Sequence, residues 1–366
     1  MTTLTQRNFG LDVIRAIAIL LVLLSHCTYL LPNQDGLIIE GIRLMGAIGV
    51  DLFFILSGFL IGGILLRKFE NNQISMKHLV HFWKRRWLRT LPNYVVIFIL
   101  NILVFYWFEG YIMPKAPSYA LFLQNFAWPH PDFFTEAWSL SIEEYAYLLL
   151  PLLLFGASKL FKKTDKSKTF LNLTILSIVL LFGLKVLYYL NASVEDYKTW
   201  SATFRKVVIY RLDAIYFGFL LVYLYSRLNW FTTQKRLLFL VGLSSFMGIH
   251  ALIFGFNLLP NTHLAFYVFV YLTVVVLSLG LCFPYCMSLS GYGILKKIVT
   301  YISIRSYALY LVNYSLVLLS LQRYVENSWG VIIIFLVLSF VLSEILYRSI
   351  ERPFLKIRKT LVPRLS

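Results

Sequence analysis

The chain has 366 residues, of which 59% are apolar and only 14% are charged, and its mean hydropathy is +0.73. No soluble globular domain has this balance, so the composition excludes a soluble enzyme and predicts an integral membrane protein with many helices. The net charge of +17 could indicate nucleic acid as a partner. However, the basic residues are confined mostly to alternate loops between apolar runs, which is typical of membrane topology. We therefore expect the lipid bilayer, and no nucleic acid, as a partner.

Apolar runs of about 20 residues, the length that crosses a bilayer, occur ten times. They cover roughly 11–31, 45–66, 91–108, 138–157, 170–190, 207–226, 237–256, 263–283, 299–321 and 330–349. Alternate connections carry 25 Lys and Arg residues on one side of the predicted membrane and six on the other. Because basic loops stay in the cytosol, we predict a multi-pass membrane protein with both termini in the cytosol. We expect residues 1–366 to form one all-α transmembrane domain without a separate soluble domain.

The first apolar run, "LDVIRAIAILLVLLSHC" at residues 11–27, contains two residues that are costly in lipid, Arg15 and His26. They are eleven positions apart, so they share one face of a helix and lie about 16 Å apart along its axis. Asp12, three positions before Arg15, can pair with it. A lone histidine on an apolar face is commonly a core residue that donates to a carbonyl. The arginine on the same face favours a functional site.

The second run contains "GVDLFFILSGFLIGG" at residues 49–63, with Asp51 in its outer third. Its small residues, among them Ser57 and Gly58, predict that another helix approaches closely here. A glycine-rich face could also let a long, thin substrate pass beside the backbone.

A basic cluster precedes the third run, in "FWKRRWLRTLP" at residues 82–92. Such a cluster is typical of a cytosolic membrane anchor. Arg86 and Arg89, next to Arg85, are also three positions apart and face one way, and a pair of guanidiniums is well suited to binding phosphate. We expect Pro92 to begin the following helix.

The segment 109–137 is rich in Pro and aromatic residues, and we expect it to fold back onto the membrane on the outer side. The fourth run follows in "EAWSLSIEEYAYLLLPLLL" at residues 136–154 and places Glu143 and Glu144 at about the depth of His26. Consecutive helical residues point about 100° apart, so only one carboxylate can easily face the histidine, where it would orient the ring and raise its basicity. An interfacial pair at the membrane surface is the alternative.

Later runs add further polar residues. "YRLDAIYFGFL" contains Arg211 and Asp213, and "SYALYLVNYS" contains Tyr310 and Asn313. Each can be explained by hydrogen bonds between helices. Taken with the earlier residues, they form an inner basic group and an outer group of histidine, carboxylates and polar residues.

At these motifs the sequence resembles acyltransferase family 3, the polytopic O-acyltransferases that modify bacterial cell-surface glycans and some small molecules. The resemblance covers essentially the whole chain and rests on an ordered set of blocks: Arg15 and His26 separated by ten residues, "GVDLFFILSGFLI", Arg86 and Arg89 in Arg-x-x-Arg, Trp138 and Glu143 in Trp-Ser-Leu…Glu, "YRLDAIYFG", "SYALYL" and "ERPF". The family's late block commonly ends Leu-x-His, whereas this chain has Asn313 there, so we assign Asn313 no acid–base role. The chain also lacks the esterase-like extracytoplasmic domain of some members, so we expect transfer to be completed in the membrane domain or by a separate protein.

The resemblance implies the bacterial cytoplasmic (inner) membrane as the location and acyl-CoA, most often acetyl-CoA, as the donor. It implies as the acceptor a hydroxyl of a surface glycan or its lipid-linked precursor; we expect no metal. We predict that Arg85, Arg86 and Arg89, together with Arg15, hold the CoA phosphates. His26, oriented by Glu143 or another carboxylate, would act as general base on the acceptor hydroxyl. The residues expected to contact the acceptor are Asp51, Trp138, Arg211, Asp213, Tyr310 and Asn313.

Several alternatives stay open. His26 could itself be the nucleophile, in an acyl-histidine relay. The acceptor could be a small molecule. Ten spans with central ionisable residues would also suit a transporter or flippase of a lipid-linked sugar, and a catalytically silent scaffold is a third class, against which the intact motif residues argue.

Overall fold

The computed structural model of the chain describes residues 7–160 and 164–363, so Lys162, Lys163 and Arg364 of the predicted basic connections lie outside the described residues. Within these two ranges the secondary structure is helical and contains no strand. Ten helices are long and apolar enough to cross a membrane: α1 Phe9–Leu30, α2 Leu37–Glu70, α3 Met76–Glu109, α4 Ala137–Leu160, α5 Lys166–Asn191, α6 Val208–Arg227, α7 Lys235–Gly255, α8 Phe266–Met287, α9 Gly293–Tyr324 and α10 Trp329–Leu361. The prediction of an all-α, multi-pass membrane protein with ten spans is confirmed.

Helix α3 differs most from its predicted bounds. It begins at Met76, where the Ser75 side chain accepts a hydrogen bond from the backbone N–H of His78, and it runs for 34 residues. Pro92 lies inside this helix rather than at its start, so that prediction was wrong. The reason is that a serine cap starts the helix about four turns earlier. The basic cluster is therefore part of a helix, which gives each of its side chains a defined direction.

The centre of the bundle is α2, which packs most extensively on α1 and α6. Gly58 on α2 and Gly218 on α6 meet at the second of these crossings. A methyl group on Gly58 would collide with the carbonyl oxygen of Ile215, and one on Gly218 with that of Ile55. Small residues let two helix backbones approach in this way, so the predicted packing role of Gly58 is confirmed.

The two ends of the bundle differ in character. At one end, here named the basic end, α1 begins and α10 ends. Contacts join neighbouring segments at this end: the Asn8 amide donates to the carbonyl of Met287 at 3.1 Å, and His81 lies 2.6 Å from the carbonyl oxygen of Pro363. The end where α1 finishes and α4 begins is named the opposite end.

The connection between α3 and α4, which we expected to fold back onto the membrane, packs into the bundle at the opposite end. Its short helix Ala116–Ala120 carries the fully buried Tyr119. Beyond it, the Asn125 amide donates to the carbonyls of Trp138, at 3.0 Å, and Lys206, at 2.5 Å. These bonds join the α3–α4 and α5–α6 connections to the first turn of α4.

Among the described residues, π-helical turns occur at Ser201–Arg205, Phe266–Tyr271, Asn313–Leu318 and Tyr347–Glu351. Single π turns inside helical segments are frequent at functional sites. Three of these four carry a residue of the site described next: Arg205, Asn313 and Glu351.

Candidate active site

A cavity of about 650 Å³ lies between α1, α2, α3, α4, α9 and α10 and reaches the basic end. Among the described residues, three carboxylates line it, Asp12, Glu143 and Glu351. Six arginines line it as well: Arg7, Arg15, Arg67, Arg86, Arg89 and Arg358. The lining thus carries an excess of positive charge, which suits a ligand with several negative charges.

Arg15 is held at this cavity by Asp12, as predicted. The buried Asp12 carboxylate accepts from Arg15 Nη1 at 3.2 Å and from Arg7 Nε at 2.5 Å. It also accepts from the Ser303 hydroxyl on α9 at 2.8 Å. Asp12 therefore fixes α1 against α9 and offsets part of the charge of the two arginines.

The three arginines of the basic cluster lie in different environments. Arg86 Nη2 donates to the Tyr147 hydroxyl at 2.7 Å and to Glu143 Oε2 at 3.2 Å, and its guanidinium lies over the Tyr147 ring. Arg89 lines the cavity and makes no hydrogen bond or ion pair with a side chain that the structure describes. Of the two, Arg89 therefore offers the more available guanidinium to a ligand.

Arg85 does not belong to the cavity. Its Nη1 donates to the carbonyl of Val362 after α10, because the position before Arg86 points about 100° away around the helix. The prediction that Arg85 helps to bind the CoA phosphates is corrected accordingly, since no lining atom of the cavity comes from it.

Neither glutamate of α4 orients His26. Glu143 Oε1 accepts from the Ser57 hydroxyl at 2.8 Å, and its other oxygen pairs with Arg86. Glu144 accepts from Trp87 Nε1 at 3.1 Å and from the Thr90 hydroxyl at 3.2 Å. The predicted contact between Glu143 and His26 is therefore wrong: the face of α4 that carries Glu143 is turned toward α3 and the cavity.

His26 is oriented by Asn313 instead. Its Nδ1 lies 2.5 Å from Asn313 Oδ1, and its ring packs on Tyr314. The Asn313 amide nitrogen donates to the carbonyls of Leu309, at 2.7 Å, and Tyr310, at 2.9 Å. An amide nitrogen that serves two carbonyls leaves only its oxygen for the histidine, so Nδ1 carries the proton. The lone pair of the half-buried ring is therefore on Nε2.

The end of the cavity lies about one helical turn from Asn313. Tyr310, three positions earlier on α9, lines the cavity together with Ser139 and Phe53. The Tyr310 hydroxyl lies 2.8 Å from Ser139 Oγ and donates to the carbonyl of Glu136 at 3.2 Å. The ring of Phe53 packs edge-on against that of Tyr310. These side chains form the boundary between the arginine-lined cavity and the region of His26.

Glu136 is a site residue that the sequence reasoning missed. Its carboxylate accepts from the Ser315 hydroxyl and, at 3.4 Å, from the Ser315 N–H, two positions after Asn313. Burial raises the pKa of Glu136 to about 7, although the hydrogen bond from Ser315 opposes the shift. It holds the first turn of α4 against the π turn that carries Asn313. The signal was present, since an acidic residue stands just before an apolar run in "EAWSLS".

Trp138 lies beside this region rather than in the cavity. Its buried ring packs edge-on against Phe54, and the guanidinium of Arg205 lies 5.0 Å from the ring centroid. Sequence reasoning did not single out Arg205, because it lies in the connection between two apolar runs and not within either.

Asp51, Arg211 and Asp213 form a buried charge network with Lys185. Arg211 pairs with Asp51 and lies 3.6 Å from Asp213, whose other oxygen is 2.5 Å from Lys185 Nζ. All four side chains are at most 2% exposed, and none lines the cavity. Their predicted contact with the acceptor has no support in this placement. Two cations and two anions are paired in charge, so we assign them to the association of α2, α5 and α6.

The fold and the cavity are those of a multi-pass membrane protein with an arginine-lined site for an anionic ligand. Comparison with known proteins gives its family. Residues 8–348 match the model of the acyltransferase domain of acyltransferase family 3, so the chain belongs to this family. It is 26% identical over 372 residues to O-acetyltransferase OatA from Staphylococcus aureus strain NCTC 8325. It is also 26% identical over 376 residues to the putative O-acetyltransferase SACOL0978 from strain COL.

Both alignments cover 95% of this chain and 57% of the relative, so the chain spans little more than half the length of these curated proteins. No solved structure gives a significant match. The family that the sequence motifs indicated, acyltransferase family 3, is thereby confirmed.

Proposed function

We propose that this protein is a membrane O-acetyltransferase that moves an acetyl group from cytosolic acetyl-CoA to a hydroxyl of a cell-surface glycan or its lipid-linked precursor. The observation that carries the proposal is the position of the His26–Asn313 pair about one helical turn beyond the end of an arginine-lined cavity. Family membership and the names of the relatives support the choice of acetyl transfer to oxygen.

The cavity would hold the donor. CoA carries its negative charges on phosphates at one end of a long, thin arm and its thioester at the other. The arginines that line the cavity, among them Arg15 and Arg89, suit the phosphates. The thioester would then lie toward Phe53, Ser139 and Tyr310, at the inner end. This placement requires the basic end to face the cytosol, as the distribution of Lys and Arg in the sequence predicts.

His26 would act as general base through Nε2. That atom takes the proton of the acceptor hydroxyl while the hydroxyl oxygen attacks the thioester carbonyl carbon. The C–S bond breaks, the ester forms, and the sulfur leaves as free CoA after it takes the proton from the imidazolium. Asn313 holds the ring in the productive tautomer without moving a proton, as the asparagine does in the Cys-His-Asn arrangement of papain-like proteases.

The test is acetyl transfer by the purified protein. The protein, reconstituted in lipid vesicles, is incubated with acetyl-CoA labelled in the acetyl group and an envelope fraction, and base-labile label is measured on the glycan. We expect His26→Ala to lose transfer by 10²-fold or more, a size typical of general acid–base catalysis.

His250→Ala is a matched control. His250 is also buried in a membrane helix, where its Nδ1 contacts the carbonyl of Phe246, but it lies on α7 and does not line the cavity. We expect this variant to transfer acetyl groups as the wild type does. Full transfer by His26→Ala would refute the mechanism. A wild-type protein that moves the lipid-linked sugar across the vesicle membrane, with no consumption of acetyl-CoA, would refute the enzyme and favour a flippase.

A further inference from the structure

Among the described residues, Arg205 is a buried cation that forms no ion pair. It is only 9% exposed and is the last residue of the π turn before α6. Its Nε donates to the Ser201 hydroxyl at 3.2 Å, whereas its buried Nη1 has no hydrogen-bond partner among the described residues. The Trp138 ring beneath it offsets part of the cost of burial. A guanidinium in this state is unusual, because buried charges are normally paired and fully hydrogen-bonded.

Lys206 extends the same positive region. Its side chain is half-buried and forms no ion pair or side-chain hydrogen bond within the described residues. Burial and the adjacent Arg205 lower the pKa of Lys206 to about 8. The charge of Lys206 also acts on His130, which is buried with its Nδ1 on the carbonyl of Pro131 and whose Nε2 has no partner among the described residues. Three polar groups in this part of the bundle therefore have unused hydrogen-bonding capacity.

This region is linked to the region of His26 through the first turn of α4. The charge of Lys206 acts on His26 and on His130. The guanidinium of Arg205 lies over the ring of Trp138, in the first turn of α4. The hydroxyl of the next residue, Ser139, contacts the Tyr310 hydroxyl. Asp51 interacts with Arg205 by charge, and Asp132 interacts with Lys206, but neither carboxylate forms an ion pair with these cations. The positive region therefore lies beyond the cavity that would hold the donor.

We propose that Arg205 and Lys206 form a binding subsite for an anionic group, a carboxylate or a phosphate, on the acceptor whose hydroxyl is acylated at His26. The assignment of the hydroxyl rests on the proposed function, but the anion subsite itself does not. The anion subsite indicates the class of acceptor: an acidic or phosphate-bearing glycan, or a glycan attached to a phosphate-bearing lipid carrier. A neutral glycan would leave the buried guanidinium unpaired.

Binding of soluble anions tests the subsite without requiring acyl transfer. The full chain in phosphatidylcholine nanodiscs, which present no net anionic lipid, is titrated at constant ionic strength with glucuronic acid, glucose 6-phosphate and glucose. We expect at least one charged sugar to bind about tenfold or more tightly than glucose, the size of one hydrogen bond to a charged group. The tighter of the two charged sugars identifies a carboxylate or a phosphate as the natural group.

Variants locate the binding. Arg205→Gln should remove the advantage of the charged sugar over glucose, and Lys206→Gln, at a half-buried position that tolerates change more easily, should reduce it severalfold. Arg323→Gln is the matched control, because Arg323 is exposed and pairs with Glu109 on a different part of the opposite end. It should bind the charged sugar as the wild type does.

Three results would overturn the proposal: equal binding of glucose and the charged sugars, unchanged binding in Arg205→Gln and Lys206→Gln together, or inorganic phosphate binding as tightly as glucose 6-phosphate. The last result would indicate an adventitious ion only. His26→Ala separates this proposal from the proposed function. That variant should lose acyl transfer and keep anion binding. Anion binding that depends on Arg205 in a wild-type protein that transfers no acyl group refutes the enzyme, whereas acyl transfer by the wild type without such binding refutes the subsite.

Discussion

Arginines occur in two very different settings in this bundle. In the cavity at the basic end, Arg89 lines an open volume and has no ion pair among the described side chains. In the network at the opposite end, Arg211 is fully buried and lies between Asp51 and Asp213. Both are cations inside membrane helices, and each by itself looks functional by the rule for intramembrane charges. Pairing, rather than depth, separates a ligand-binding arginine from one that holds helices together.

The largest expected effect is on the network. Arg211→Met leaves two buried carboxylates without their shared cation, so we expect a loss of about 3–5 kcal/mol in the free energy of unfolding. The measurement is chemical unfolding in detergent. The exposed Arg323→Met, which removes only a surface pair with Glu109, should cost less than about 1 kcal/mol. If both variants unfold alike, the contrast between the two settings is wrong.

The next prediction concerns Glu136, which joins α4 to the π turn of α9. Its pKa is raised to about 7 from 4.5, so the folded protein binds this proton more tightly than the unfolded chain does. The wild type should therefore lose stability as the pH rises from about 4.5 to about 7 and no further above that pH. Glu136→Gln keeps an acceptor for Ser315 but has no group that titrates in this range. The difference in the free energy of unfolding between this variant and the wild type should therefore shift in favour of the variant across this window, by up to about 3 kcal/mol.

Thermal unfolding between pH 4.5 and pH 8 measures the effect of Glu136. The exposed Glu326→Gln serves as the control and should follow the wild type at every pH. Parallel curves for Glu136→Gln and the wild type would mean that the carboxyl group is not buried as described.

The cavity is tested by two arginines of the same cluster. Arg89→Gln should raise the KM for acetyl-CoA by about 10–100-fold, because one charge-assisted contact to phosphate is lost, and should change kcat little. Arg85→Gln removes the same charge from the same helix but on the face that contacts Val362, so its KM should stay within about twofold of the wild type. A similar rise in both variants would indicate a general effect of positive charge and refute the cavity as the donor site.

The smallest expected effect is at Asn313. Asn313→Leu removes the acceptor that fixes the tautomer of His26, and we expect kcat to fall about tenfold, as for other residues that orient a functional histidine, with the KM for acetyl-CoA unchanged. Asn313→Asp retains an acceptor oxygen at the same place and should restore most of the rate. A rise in KM, or equal rates for the two variants, would show that Asn313 acts only on packing.

The number of spans and most of their bounds could be predicted from the sequence, because apolar length and the distribution of Lys and Arg are properties of single segments. The shared face of Arg15 and His26, and the pairing of Arg15 with Asp12, also followed from helix geometry within one segment. The ordered motifs were sufficient to indicate the family that residues 8–348 match. Each of these properties depends on local chain geometry.

Partners across helices were decided only by the tertiary structure. Glu143 was predicted to face His26, but the rotation of α4 turns it to Ser57 and Arg86, and a π turn in α9 brings Asn313 to the histidine. Spacing along one helix gives the angle between two of its residues, but not the rotation of that helix against its neighbours. Close packing at pairs such as Gly58 and Gly218 sets that rotation, and through it the tertiary structure determines which charges are paired and which remain available to a ligand.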